Sequence, residues 1–374
     1  MAVCAEASQI VIDATKKSPV RNSLSDSSAK NASEWRSRMI DKENEIICKY
    51  GLKVVSACRC KGAMMIYTGK EYYLLKEYNG TIKHLEFEEN LLNRISEIGG
   101  IKVDNIVRDV EGKIINEDES GKKYILRKWY DAKDCDSKSK EQIIDSVKEL
   151  ANLHNIMNKI SYGNIYLNEY FDLKTIGEQI KKEFEKHNKE LKRTRNFIRK
   201  KRNKNEFELL VLSEYDRYYE DGVKVYEMSE EKELLNFIKS AVESGRLVHG
   251  AYNYHNVMFE KDTCIITNFE KTKCGVQIRD LYDFTRKVLE KHNWNLSLGN
   301  KMIEEYDKIR PISKEENKYL MLKFMYPEKY WKLLNHYNNN NKSWIPDKDI
   351  IKLKHITKQY GDRMDFIKTM LNFN

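Results

Sequence analysis

Proline is nearly missing from this chain: four occur in 374 residues. Its ring removes a backbone donor and clashes with the preceding helical turn, so its scarcity leaves room for long helices. No stretch of the sequence approaches 18 uninterrupted apolar residues, about the least that spans a bilayer, which excludes a membrane-spanning helix and with it membrane insertion. The opening MAVCAEASQIVIDATKK lacks a basic start followed by a long apolar core, so no signal peptide is expected. The histidines form no H-E-x-x-H pair, which leaves a histidine-based zinc site without support. Seven cysteines stand at 4, 48, 58, 60, 135, 264 and 274, an odd count at irregular spacings. They are expected to be free structural thiols rather than a disulfide framework. No internal repeat is visible.

What is present is the composition of a folded protein. The chain is 40% hydrophobic and 33% charged, which excludes disorder and gives enough apolar mass for two cores. The net charge of +9 is concentrated in one place. Residues 192–204, KRTRNFIRKKRNK, carry eight Lys or Arg and no acid, leaving about +1 for the rest. That stretch reads as a solvated charged helix or as a docking surface for an acidic partner. Only Phe197 interleaves with the basic residues, so nucleic acid is not the expected partner.

Three regions follow from the pattern. Residues 1–35, rich in Ser, Ala, Asn and Lys, read as a disordered tail. Residues 36–129 read as an α+β lobe: strands in KVVSACRC, AMMIYTG and EYYLLKEY, a helix over 82–98, then strands in VDNIVRDVEG and GKKYILRKWY. In the helix Leu85, Glu88, Leu92 and Ile95 share one face, and Gly99-Gly100 ends it. Residues 130–374 read as mainly helical, beginning with an amphipathic helix over 140–157 that lines up Ile143, Ile144, Val147, Ala151 and His154.

Two short runs carry the chemistry. His249-Gly250-Ala251-Tyr252-Asn253-Tyr254-His255-Asn256 reads HGAYNYHN, and Cys264 to Glu270 reads CIITNFE. The first resembles the H-G-D-x-x-x-x-N catalytic loop of the aminoglycoside-phosphotransferase branch of the kinase fold, with Ala251 in place of the aspartate. The second resembles the strand ending D-F-D that carries the magnesium-binding aspartate, here Asn268. Phosphoryl transfer needs a lysine on the phosphates, an acid to hold it, metal ligands, and a base for the nucleophile. Lys76, closing EYYLLKEY, stands where that lysine is expected, with Glu88 as its ion-pair partner and Glu89 adjacent. His249 is expected to hinge the loop by bonding its backbone, and Asn256 to be a metal-binding amide. The methyl of Ala251 cannot accept a proton, and loss of a general base typically costs about 10²–10⁴-fold in rate. Asn268 offers an uncharged oxygen where magnesium prefers carboxylates; Glu270, two residues on, is a candidate substitute ligand. His255 is expected to pack between the loop and the following strand. Asp280 resembles the family aspartate that braces the catalytic loop, and equally suits a helix N-cap. Residues 58–69 hold only Gly62 and Gly69, a poor cradle for phosphates.

The carboxy-terminal third narrows the resemblance. Tyr326-Pro327-Glu328, Tyr330-Trp331, Asn335, Tyr337, Lys342 and Trp344-Ile345 form a long signature, joined by YGL at 50–52, LLK and WYDAKDCD. Together they resemble the CotS family of spore coat proteins over roughly residues 40–370. The resemblance implies a two-lobed, protein-kinase-like α+β fold, with a small β-rich amino-terminal lobe and a large α-helical carboxy-terminal lobe. It also implies a place in the spore coat, reached from the mother-cell cytoplasm, with other coat proteins as partners. ATP and magnesium are the cofactors the fold would take. With Ala251 and Asn268 at the catalytic positions, the expected function is that of a pseudokinase-like structural or binding component. The alternative is an ATP-dependent small-molecule phosphotransferase of the aminoglycoside or choline kinase type.

Overall fold

The computed structural model describes residues 43–162, 170, 179–261, 263–339 and 347–370. The tail expected over 1–35, and Lys342 and Trp344-Ile345 of the carboxy-terminal signature, lie outside the described residues. The strands, in chain order, are β1 (Ser56–Cys60), β2 (Ala63–Tyr67), β3 (Tyr72–Glu77), β4 (Lys102–Val103), β5 (Ile106–Val107) and β6 (Asn116–Glu117). They continue as β7 (Lys123–Trp129), β8 (Lys133–Asp134), β9 (Leu247–Val248), β10 (Val257–Glu260), β11 (Thr263–Ile266) and β12 (Lys273–Cys274). Two compact units emerge. The first takes the chain up to Lys133 together with Met258–Glu270; the second takes Asp134–Val257 and Lys271–Asn374.

In the first unit a sheet runs β1-β2-β3-β7-β5, with β6 also paired to β7. The β1–β2 connection is a two-residue hairpin at Lys61 and Gly62, both at positive φ (50° and 78°). Such a turn matches the twist of its strands, and it leaves no extended loop at this edge. Helix α1 (Ile82–Ile98) follows, capped by the Thr81 side chain, which accepts from the His84 N–H at 3.2 Å, and ended by Gly99 at φ 77°. Its expected face is the buried one: Leu85, Glu88, Leu92 and Ile95 are fully covered. VDNIVRDVEG is not one strand but two, because β4 pairs in parallel with β11 while β5 pairs with β7. Asp109 then turns the chain by accepting the N–H groups of Glu111 and Lys113 (2.9 and 2.8 Å). The run through Asn268, expected within 130–374, is grouped with this first unit. Met258 and Ile265 share an apolar cluster with Ala63, Leu74 and Trp129.

The second unit is helical: α2 (Lys140–Tyr162), α3 (Gln179–Lys200), α4 (Glu206–Met228), α5 (Lys232–Glu243), α6 (Ile278–Lys291), α7 (Leu296–Ile309), α8 (Lys314–Met325), α9 (Glu328–Asn339), α10 (Asp347–Lys358) and α11 (Tyr360–Met370). Of the face expected on α2, Ile143, Val147, Ala151 and His154 are fully buried and Ile144 is half-buried. Of the signature aromatics, Tyr326, Tyr330 and Tyr337 are buried and Trp331 is half-buried. Tyr330 stacks on Tyr218 at 4.3 Å and donates to the Val211 carbonyl at 3.0 Å. Tyr337 donates to Glu208 at 2.6 Å, and Trp331 stacks on His187 while its indole N–H reaches Glu190 at 2.8 Å. Large rings buried with their polar ends satisfied anchor helices firmly. Among the described residues no helix is long and apolar enough to cross a membrane.

Candidate functional site

The first unit holds a buried charge cluster built on one sheet face. In the β3–β7 register Leu74 faces Arg127 and Lys76 faces Ile125, so Lys76 and Arg127 project from the same side. Two cations therefore compete for the acids below them. The expected Lys76–Glu88 pair does not form. Glu88, on the buried face of α1, pairs with Arg127 at 2.9 Å, and Lys76 pairs with Glu270 at 2.7 Å. Arginine wins the deep acid for a physical reason: its guanidinium stays charged when buried and offers several donors at once. Arg127 also lies 3.5 Å from both Asp104 and Glu270. Glu89, the adjacent candidate, is held by Arg108 through two bonds of 2.7 and 2.6 Å.

Asp104 ties this cluster to Asn268. Its carboxylate accepts the Asn268 N–H at 3.0 Å, and Asn268 sits at φ 68°, a left-handed conformation that asparagine tolerates better than most residues. Glu270 is fixed twice, through its carboxylate by Lys76 and through its carbonyl, 2.9 Å from His84 Nε2. Burial pushes the Glu88 carboxyl up to about 7 against the pull of Arg127. Burial raises Asp104 too, opposed by Arg127 and the Asn268 N–H. Glu88, Asp104 and Glu270 thus share two cations. This donor set does not fit a magnesium–phosphate centre. Asn268 brings no charge, Glu270 is already occupied by Lys76, and the β1–β2 hairpin has only Lys61 and Gly62 to offer phosphates.

The second unit holds the loop. The β9–β12 ribbon pairs Val248 with Lys273 and delivers His249 to the start of α6. Gln277 is the α6 N-cap residue, so Asp280 lies inside the first turn rather than at the cap. From there the Asp280 carboxylate accepts the N–H of His249 at 2.7 Å and of Gly250 at 2.9 Å. His154 Nε2 lies 3.2 Å from the same carboxylate, and its Nδ1 lies 2.6 Å from the Tyr306 hydroxyl. A carboxylate only accepts, so Nε2 carries the proton and Nδ1 accepts from Tyr306. Burial lowers the His154 pKa, keeping the ring neutral. Burial would raise Asp280, but the hydrogen bonds from His154 and the Gly250 N–H help hold the carboxyl below its ordinary range.

The loop is tightly folded on itself. The His249 ring nitrogen Nδ1 accepts the Ala251 N–H at 3.2 Å. Gly250 has φ 73°, and a Cβ there would lie 2.3 Å from the Lys271 carbonyl, so no side chain fits. The Ala251 carbonyl accepts the side-chain amides of Asn253 (2.7 Å) and Asn256 (2.8 Å). Asn256 therefore uses its amide nitrogen to close the loop. His255 does not pack as expected; it is exposed and faces Asp134 at 3.4 Å. Sequence reasoning missed Arg127, Asp104, His154 as a loop support, and Tyr306. Arg127 left a signal: it stands at an inward position of Lys123–Trp129, in register with Ile125 and Trp129.

The basic stretch occupies the end of α3 and the following turn. Arg195 lies over the Tyr215 ring and pairs with Asp216 at 3.2 Å, and Lys201 pairs with Glu208 at 2.5 Å. Lys192, Arg193, Arg199, Lys200 and Arg202 are exposed with no acid partner among the described residues.

Comparison with known proteins places this arrangement. An aminoglycoside phosphotransferase from Alicyclobacillus acidocaldarius subsp. acidocaldarius DSM 446 superposes with a TM-score of 0.77 at 17% identity, over 87% of this chain and 94% of that one. Spectinomycin phosphotransferase APH(9)-Ia, in complex with ADP and spectinomycin, gives 0.52 at 15% identity, over 86% and 94%. A microcompartment-associated aminopropanol kinase gives 0.51 at 9%, over 88% and 98%. No curated protein matches. The chain thus has a two-lobed, kinase-like α+β fold similar to that of aminoglycoside phosphotransferases, with a small β-rich lobe and a large helical one. Residues 43–370 match the family model described as "Spore coat putative kinase YutH". The chain belongs to that spore coat family, which bears out the CotS-like membership expected from the signature.

Proposed function

We propose that this spore coat family member uses its kinase fold as a structural and binding component of the coat and does not transfer phosphoryl groups. The observation that carries the reading is Ala251. The loop around it is intact, with His249 and Gly250 bonded to Asp280, yet the position of the base holds a methyl group. The charge cluster of the first unit supports the same conclusion: Lys76 is neutralised by Glu270 and Glu88 by Arg127. The experiment is restoration. Ala251→Asp with Asn268→Asp returns both carboxylates, and the double variant is expected to show no ATP turnover, because the lysine stays engaged. Magnesium-dependent turnover in that variant would show that the two carboxylates alone were missing, and turnover by the wild-type chain would overturn the proposal. It would favour the second reading, an ATP-dependent small-molecule kinase, for which the intact loop geometry speaks.

We further propose that the coat partners include an acidic protein docked on Lys192, Arg193, Arg199, Lys200 and Arg202. Exposed cations without local acids bind through long-range attraction that salt screens, with a Debye length of about 8 Å at physiological ionic strength. Binding to purified acidic coat proteins should weaken several-fold between low and physiological salt. It should be lost in Arg199→Glu/Arg202→Glu; equal binding by that variant would remove the surface from consideration.

A further inference from the structure

The second unit carries a groove of about 760 Å³ lined by the segment at Ser137 and Lys138, the loop residue Tyr254, and helices α6, α9 and α10. Seven of its fourteen lining residues are Lys or Arg, and Glu290 is the only acid among them. That acid is already committed, to Arg286 at 2.5 Å and Lys329 at 3.3 Å. Lys332 rests on Glu328, and Lys352 on Asp349 at 2.9 Å. Arg286 reaches Asp283 and Glu328 as well, at 3.9 and 3.5 Å. Seven cations thus meet four carboxylates, an excess of three positive charges.

The excess resides on three lysines. Lys138 and Lys287 have no acid within salt-bridge distance among the described residues. Lys291 donates to the Ser137 hydroxyl at 3.0 Å and stands 3.8 Å from the Tyr254 ring centroid. Lys287 is half-buried, and burial, with Arg286 and Lys332 beside it, holds its ammonium below the ordinary lysine range against the pull of Asp283 and Glu328. Crowded, partly desolvated cations repel one another, and a bound anion relieves both costs.

The chemistry of the free cations selects among anions. Carboxylates are best served by the bidentate fork of arginine, but the one arginine here is spent on Glu290. Lysines act as mobile point charges, a mode that suits phosphate oxygens. The volume far exceeds one phosphate and falls in the range of small-molecule sites, roughly 300–1,000 Å³. We propose that this groove binds a small polyphosphorylated anion.

The test uses the full chain and inorganic tripolyphosphate, titrated calorimetrically without magnesium. Lys138→Gln/Lys287→Gln/Lys291→Gln removes the three cations that have no acid partner among the described residues, so the ion pairs of the wall are left in place. The affinity should fall at least tenfold in that variant. It should stay unchanged in Lys76→Ala and in the charge-matched control Lys192→Gln/Arg193→Gln/Arg199→Gln. Citrate at equal ionic strength should bind at least tenfold more weakly than tripolyphosphate. The inference is overturned by absent tripolyphosphate binding, by full affinity in the groove variant, by equal loss in either control, or by equal binding of citrate. None of these outcomes depends on whether the chain turns over ATP.

Discussion

Arg127→Met should destabilise the protein by about 3–5 kcal/mol near pH 8, the usual cost of removing one member of a buried ion pair. Arg127 is 1% exposed and Glu88 and Asp104 are 0% and 2% exposed, so neither acid can turn to water when its partner goes. Methionine fills the volume, which isolates the charge effect from a cavity. The loss should shrink toward pH 5, and the direction follows from Glu88. Its carboxyl titrates at about 7 in the folded state against an ordinary 4.5. Between those values the folded protein keeps a proton that the unfolded chain releases, so stability falls as pH rises through that window. Without Arg127 the folded carboxyl is pushed higher still and the window widens upward. Denaturant melts of both proteins at pH 5 and pH 8 measure this. An equal loss at the two pH values would show that packing, not charge, is what Arg127 supplies.

Asp280→Ala is the second large effect. It strands the N–H groups of His249 and Gly250 and the Nε2 proton of His154, all buried or half-buried. Each of the three orphaned donors costs about 1–3 kcal/mol, so a loss of about 3–9 kcal/mol is expected. Asp280→Asn keeps one acceptor oxygen and should lose distinctly less. Chemical denaturation of the two variants separates a brace from a mere helix-turn carboxylate: similar small losses in both would contradict the bracing role.

Local features were the legible ones. The bounds of α1 follow from the apolar spacing and Gly99-Gly100, because a helix end is settled by its own neighbours in the chain. The loop was visible in HGAYNYHN, and the loss of its base in Ala251 alone. Partner choice was not visible. Lys76 finds Glu270 and Glu88 finds Arg127 only because the β3–β7 register and the β4–β11 pairing bring distant segments to one face. The same long-range pairing splits VDNIVRDVEG between two sheets. His255, expected to pack between the loop and the following strand, misled for a simpler reason: the turn closed by Asn253 and Asn256 on the Ala251 carbonyl leaves it exposed.

The central claim is that a kinase fold here survives without kinase chemistry. Its most direct test is phosphate release by the wild-type chain at saturating magnesium-ATP, beside Lys76→Ala. The account predicts the same rate for both, no higher than buffer alone. A wild-type rate clearly above buffer that Lys76→Ala abolishes would contradict it.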